Sequence, residues 1–186
     1  MKKILIVIAM ILTSLTSFNV KAEEGNMTDK KVLVAYFSAT GTTAGVADKL
    51  AKVTGGELFE IKPAQPYSEA DLDWRNNQSR SSVEMADMNS RPEIASKVEN
   101  MSQYNVVFIG FPIWWYREPS IIDTFIESYD FADKTVIPFA TSGSSGMGKS
   151  GENMQKLAPN AKVFEGKRFP ANVSEEVLKT WADEWL

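Results

Sequence analysis

Six consecutive residues, Ser38-Ala39-Thr40-Gly41-Thr42-Thr43, carry four hydroxyls and one glycine between two apolar patterns. A turn of this composition is suited to holding an anion. The hydroxyls can donate hydrogen bonds, and Gly41 lets the backbone come close to a ligand. A helix starting here would add N–H groups without partners and the positive end of its dipole. The turn contains no Lys or Arg, so a phosphate held there would rest on dipoles and hydrogen bonds.

Two later stretches could also meet a ligand. Phe111 to Pro119 holds Pro112, Ile113 and three adjacent aromatics, Trp114, Trp115 and Tyr116. Thr141 to Ser150, TSGSSGMGKS, is rich in glycine and serine. The chain has no His and no Cys, which removes Ser–His and Cys–His nucleophiles, thiol redox chemistry and most zinc sites. Any redox chemistry must therefore be carried by a bound cofactor.

The elements around these stretches supply the positioning. Val32 to Phe37 is a nearly continuous apolar run, as expected of a strand buried on both faces. Val46, Leu50 and Val53 then fall on one helical stripe, which Gly55-Gly56 ends. Further strands are predicted at Glu57–Ile61, Asn105–Gly110, Thr135–Ala140 and Lys162–Phe164. Residues 64–92 read as a long polar crossover with some helix, and Trp74 stands out as its bulkiest apolar residue. Pro92 is placed to open a helix to about Asn100, with Ile94 and Val98 inward. Pro119 opens another, carrying Ile121, Ile122, Phe125 and Ile126, and a short helix is expected to end near Leu157. Ser174 caps a last helix with Val177, Leu178, Trp181 and Trp185 inside.

Strands alternating with helices predict an α/β fold, a parallel sheet with helices on both faces. Ligands of such sheets lie beyond the carboxyl ends of the strands. The three loops all leave strands at that edge. One small ligand with an anionic end, a flat apolar ring and a polar ring edge would account for their three compositions.

The first 22 residues have a secretory pattern: Lys2-Lys3, nine apolar residues from Ile4 to Leu12, and an ending Val20-Lys21-Ala22. Nine apolar residues fall short of the ~20 that a membrane span needs. We expect a cleaved signal peptide at 1–22, a tether at 23–31 and one domain at 32–186, exported to the periplasm or cell envelope of a bacterium. The alternative is anchoring by an uncleaved leader. The formal charge is −4, and without Lys2, Lys3 and Lys21 it becomes −7. That balance argues against nucleic acid as a partner and suits a partner protein with a basic docking face.

The three strings Ser38–Thr43, Gly110-Phe111-Pro112-Ile113-Trp114-Trp115-Tyr116 and Thr141-Ser142-Gly143-Ser144-Ser145-Gly146 resemble the flavodoxin family in order and spacing. The resemblance runs from Val32 to the C-terminus. It implies a three-layer α/β/α sandwich, a five-stranded parallel sheet in order 2-1-3-4-5, and non-covalent FMN. It places the FMN phosphate on Ser38, Ala39, Thr40, Gly41, Thr42 and Thr43, and the isoalloxazine against Pro112, Ile113 and one of Trp114, Trp115 and Tyr116. The pyrimidine edge would meet Thr141, Ser142, Gly143, Ser145 and Gly146. No catalytic residue or metal is implied. The implied function is electron transfer between redox partner proteins, with aromatic stacking and net negative charge lowering the flavin potential by ~59 mV for each ~1.4 kcal/mol against the anionic reduced form.

Two departures stand out. Many flavodoxins place a Gly in the second loop, where its peptide flips to bond the half-reduced ring; here Tyr116-Arg117-Glu118 follow Trp115. Many supply a second stacking Tyr from the third loop; here that loop offers Met147.

Three other readings compete. A flavodoxin-like NAD(P)H-dependent quinone or FMN reductase shares fold and cofactor, but no second nucleotide motif is visible. A flavodoxin-like module that has lost FMN would not need the intact 38–43 turn. Gly143 to Ser150 also fits the nucleotide P-loop pattern G-x-x-x-x-G-K-[ST]. A nucleotide hydrolase would need a later strand ending in Asp, and the remaining candidate, Lys162–Phe164, ends before Glu165.

Overall fold

Val32 to Tyr36 form β1, and every residue of it is buried. Its neighbours explain this. The computed structural model describes residues 30–186, and its sheet runs β2-β1-β3-β4-β5, all parallel, with β6 also on β4. The strands are β2 (Glu57–Glu60), β3 (Val106–Pro112), β4 (Thr135–Thr141), β5 (Lys162–Val163) and β6 (Lys167–Phe169). The predicted order is therefore observed. The leader expected at 1–22 lies outside the described residues, as does most of the tether.

Helices cover both faces, as the strand pattern demands. Leu33, Ala35, Phe37, Val107, Ile109 and Phe111 point to one layer, where they meet Ile121, Ile122 and Phe125 of α3 (Ser120–Glu127) and Met154 of α4 (Ser150–Leu157). Val32, Val34, Tyr36 and Phe108 point to the other. There they meet Val46 and Leu50 of α1 (Thr42–Thr54) and Leu178 and Trp181 of α5 (Glu175–Ala182). The period of two along a doubly buried strand thus feeds two separate cores.

Four details differ from the sequence reading. The helix expected from Pro92 to Asn100 does not form. Its backbone pairs instead with the segment after β2: Ala64 N donates to Glu93 O at 2.8 Å and Ala95 N to Lys62 O at 2.8 Å. Ile94 and Val98 still pack on the core, so the apolar spacing served an extended segment. Val177 is 47 % exposed, because the inward stripe of α5 is Leu178, Trp181 and Ala182. Trp185 lies beyond that helix and packs on Phe164, with ring centroids 4.2 Å apart.

The fourth is the extra strand β6. Lys162 N and Phe164 N donate to Lys134 O and Val136 O, so alternate residues of β4 face this edge. Two residues on comes Pro138, which has no N–H to offer. The edge strand breaks opposite it. Gly166, at φ 82°, passes so close that a Cβ would stand 2.2 Å from the Pro138 carbonyl oxygen. The chain then rejoins β4 as β6, with Phe139 to Thr141 opposite Lys167 to Phe169.

The crossover between β2 and β3 contains a short helix, α2 (Arg80–Ala86), capped by Ser79, whose side chain accepts from Ser82 N. It folds back over the carboxyl ends of the strands and brings Tyr67, Trp74 and Ser81 toward the three loops.

Candidate functional site

The first loop has the shape of an anion cradle. Gly41 caps α1 at φ 85°, a left-handed conformation that glycine adopts without steric cost. No side chain caps the helix and no acidic residue lies in its first turn. The N–H groups of that turn and the dipole therefore face outward uncompensated. Ala39 is half-buried, and Thr40, Gly41 and Thr42 are exposed. Thr40 Oγ1 and Thr42 Oγ1 lie 3.5 Å apart. Ser38 Oγ is buried and has no hydrogen-bond partner among the described residues. A hydroxyl left in that state beside a helix start is suited to a bound anion.

Thr43 has another task. It is buried, and its Oγ1 stands 2.9 Å from Thr141 Oγ1. The Thr141 carbonyl accepts from Ile113 N at 3.0 Å. One residue at the end of β4 thus ties the first loop to the second and opens the third. Within that third loop Ser142 Oγ donates to the Ser145 carbonyl, and Arg168 Nη1 on β6 donates to the Ser142 carbonyl at 3.2 Å.

The second loop is a tight hairpin. Trp114 N donates to Arg117 O at 2.9 Å, and Arg117 N returns to Trp114 O at 3.0 Å. The two residues between them, Trp115 and Tyr116, have φ 44° and 65°. Two positive φ angles mark a primed turn, usually built from Asn and Gly. Placing aromatics there costs ~1–2 kcal/mol per residue. The glycine missing from this loop is thus missing from a position whose backbone still adopts glycine's conformation. Gly148 presses against it, since a Cβ there would stand 1.8 Å from Tyr116 O. This accounts for a glycine of the P-loop-like string: its loop braces the hairpin, Lys149 is exposed, and α4 begins only at Ser150.

The three aromatics have separate roles. Trp114 is half-buried and fixed edge-on by Phe37, at 5.6 Å and 89°, and by Tyr67, at 5.4 Å and 82°. Tyr67 is locked in turn: its hydroxyl donates to Glu84, and the Arg80 guanidinium stacks over its ring at 4.1 Å. Burial, and then the Glu84 hydrogen bond, raise the Tyr67 pKa far above the ordinary phenol value, so it stays neutral. Trp115 and Tyr116 are 44 % and 76 % exposed.

Beneath the hairpin lies a set of buried charges that the sequence reading missed. Arg117 Nη1 is 3.3 Å from Asp123 Oδ2 and 3.5 Å from Glu118 Oε1, and Nη2 donates to Ser120 Oγ at 3.2 Å. Asn153 Nδ2 donates to Glu118 Oε1 at 3.0 Å. Glu118 Oε2 and Asp123 Oδ1 have no partner among the described residues. Burial, and then the Glu118 charge, push Asp123 up to about 7. The only sequence signal was two adjacent charges, Arg117 and Glu118, between aromatics and an apolar helix.

Together the loops enclose a cavity of about 870 Å³. Thr40, Thr42, Trp114, Thr141, Ser142 and Ser145 all line it. So do Ala39, Thr43, Pro112, Ile113 and Gly143. Ser38, Gly41, Trp115, Tyr116 and Gly146 lie in the same three loops but outside this lining. Trp74, from the crossover, joins the lining although sequence reasoning gave it no role. Its signal was being the bulkiest apolar residue of a polar stretch. The chemistry available is an uncharged anion cradle at one end and a flat, aromatic and hydroxyl-lined slot at the other. The volume is within the ~300–1,000 Å³ of small-molecule sites.

The family model for flavodoxins matches residues 31–185. A candidate flavoprotein from Bacteroides eggerthii has a solved structure similar to this chain at TM-score 0.79 and 52% identity, covering 84% of this chain and 98% of that one. Another from Bacteroides uniformis gives TM-score 0.79 and 50% identity, over 83% and 98%. A Lactobacillus acidophilus flavoprotein, solved in complex with FMN, shares the fold at TM-score 0.60 and 23% identity, over 84% and 98%. Among curated proteins there is no match.

Proposed function

The chain belongs to the flavodoxin family, and on that premise we propose that it binds FMN non-covalently and carries electrons between redox partners. The observation that carries this reading is Ser38 Oγ, buried and unpartnered beside the uncapped start of α1, in the loop whose Ala39, Thr40 and Thr42 line a cavity with aromatic and hydroxyl walls. The FMN-bound fold relative from Lactobacillus acidophilus supports the cofactor.

In this reading the first-turn N–H groups of α1, with the hydroxyls of Ser38, Thr40 and Thr42, receive the phosphate. Trp114 offers a ring that Phe37 and Tyr67 hold still, so little side-chain entropy is lost on stacking. The backbone from Thr141 to Gly146 meets the polar ring edge. Bound FMN supplies the electron transfer; the chain itself orients the ring and excludes water from its inner face. Thr141 keeps the phosphate end and the ring end in register through its bonds to Thr43 and Ile113.

The secretory pattern of the first 22 residues supports work outside the cytoplasm of a bacterium, and the charge of −7 without them supports a basic docking face on the partner. The test is titration of the purified chain with FMN and riboflavin, followed by stepwise reduction watched by absorption. FMN binding at least a hundredfold tighter than riboflavin, with reversible bleaching, is the expected result. Equal affinity for both would remove the phosphate from the 38–43 turn, and a colourless chain that leaves FMN fluorescence unchanged would overturn the reading.

A further inference from the structure

We propose that Arg117 is the positioning residue of the second loop: its buried guanidinium, set among Glu118, Asp123 and Ser120, holds the Trp114–Arg117 hairpin in its strained shape, and protons on this cluster tune the hold. The inference rests on that loop meeting the FMN ring, as read above. Arg117, Glu118 and Asp123 do not line the cavity themselves and act on it from behind.

The hairpin needs an anchor. Two consecutive residues at positive φ, Trp115 and Tyr116, persist only where the surroundings fix them. Their own side chains contribute little, because both are exposed. One end is held by Trp114, edge-on to Phe37 and Tyr67. The other end is Arg117, whose backbone closes the hairpin with Trp114. Its Nη1 donates to the Glu118 carbonyl at 3.1 Å and to Asp123 Oδ2 at 3.3 Å, while Nη2 donates to Ser120 Oγ. Ser120 Oγ donates on to the Glu84 carbonyl of α2 at 3.3 Å, and Asn153 of α4 holds Glu118 Oε1. The planar guanidinium thus joins the loop to α2, α3 and α4 at once, which a point charge on a flexible stem does less well.

The balance of charge makes this anchor responsive to pH. Two buried carboxyls, Glu118 and Asp123, face one buried guanidinium. Asp123 also faces Arg91 of the crossover, 3.8 Å away, but Arg91 is committed to Glu127 at 2.6 Å and lies in the field of Asp87 as well. Toward the cluster α4 presents the neutral Asn153, and α2 presents a backbone carbonyl. Glu118 Oε2 and Asp123 Oδ1 have no hydrogen-bond partner among the described residues. A second negative charge is therefore poorly compensated in the closed hairpin. Burial, and then Glu118, raise the Asp123 pKa accordingly. Opening the hairpin would hydrate Asp123 and return it to ordinary carboxyl behaviour. The closed hairpin thus holds the proton more tightly, is favoured at low pH, and loses that advantage as pH rises from about 4 to about 7.

The test follows amide hydrogen exchange at positions 114 and 117 in the full-length chain without flavin, expressed as protection factors so that base catalysis of exchange cancels. Protection should fall at least tenfold between pH 5 and pH 7 in the wild type and change by less than about twofold in Asp123→Asn. Arg117→Met alone would strand two buried carboxyls, so it is combined with Glu118→Gln and Asp123→Asn, which removes the three charges together. At pH 5 this triple variant should lose protection at 114 and 117 at least tenfold, while Val34 and Ile109 in the central strands stay within about twofold. Its affinity for FMN and for riboflavin, read by flavin fluorescence, should fall by the same factor, at least tenfold, because the ring end is loosened and the phosphate cradle is not. Protection independent of pH in the wild type, or equally pH-dependent in Asp123→Asn, overturns the proposal. So does unchanged protection in the triple variant, or an equal loss at 34 and 109, which would make the cluster a general stabiliser. So does a loss confined to FMN, which would put the effect in the cradle. If the triple variant does not fold, the Asp123→Asn profile decides alone. A wild-type chain that binds neither flavin fails the reading above, while exchange at 114 and 117 still decides what Arg117 holds.

Discussion

Thr43 Oγ1 and Thr141 Oγ1 meet at 2.9 Å across 98 residues of chain, both buried, joining the start of α1 to the end of β4. The strands they follow are not neighbours, because β3 lies between them. This contact therefore sets the distance between two ligand loops in a way that no sheet hydrogen bond does. Thr43→Val should cost ~1–2 kcal/mol, because it leaves a buried Thr141 hydroxyl unpaired, and Thr141→Val should cost the same. The double variant should cost no more than either single one, since both partners are then apolar. Urea unfolding of all four proteins measures this coupling, and additive losses would show that the pair contributes nothing as a pair.

Gly41 allows a second prediction. A Cβ at this position would meet nothing within 4 Å, so Gly41→Ala is penalised only through its φ of 85°. The expected loss is ~1–2 kcal/mol, divided between stability and FMN affinity according to how far the cradle relaxes. Affinity for riboflavin, which has no phosphate, should fall less than affinity for FMN. Fluorescence titration with both flavins separates the two effects.

The hairpin should become more stable when its aromatics are removed. Trp115→Asn with Tyr116→Gly gives the turn the residues that two positive φ angles favour. The melting temperature should rise, by an amount corresponding to ~1–2 kcal/mol. A fall in melting temperature would mean that the aromatic contacts outweigh the backbone strain.

Asp123 predicts a pH dependence. Its folded pKa of about 7 exceeds the ordinary 3.8, so the folded state holds a proton that the unfolded state has released. The contribution to stability is therefore fully present at low pH and is lost as pH rises from about 4 to about 7. Asp123→Asn should flatten this part of the profile and raise stability most at pH 8. Melting curves between pH 5 and 8 test the sign, and a wild-type profile rising across that window would contradict the raised pKa of Asp123.

The fold was legible because every buried strand is followed by a loop of distinctive composition. Val32–Phe37, Asn105–Gly110 and Thr135–Ala140 could be read from apolar runs, and the hydroxyls after Phe37 pointed to an anion. What escaped depends on contacts between distant segments. Trp74 lies in a polar crossover and becomes a site residue only when that crossover folds back over the sheet edge. Pro92 looked like a helix start, yet the unpaired backbone after β2 captured Glu93 and Ala95. Thr141 read as a contact to the ring edge, and nothing in the sequence shows that it also bonds Thr43 and Ile113. The buried state of Arg117, Glu118 and Asp123 was equally hidden, because charge in a sequence normally signals solvent.

The break opposite Pro138 has a consequence for how copies of this chain behave together. The outer side of β4 is covered by only two- and three-residue strands, and each begins with an exposed lysine, Lys162 or Lys167. An incoming strand finds no long run of free backbone donors there, and it meets positive charge at both short runs. Such interrupted, charged edges resist edge-to-edge addition and fibril growth. A proline that costs the sheet one hydrogen bond thereby protects a crowded population of these molecules from aggregating along that side.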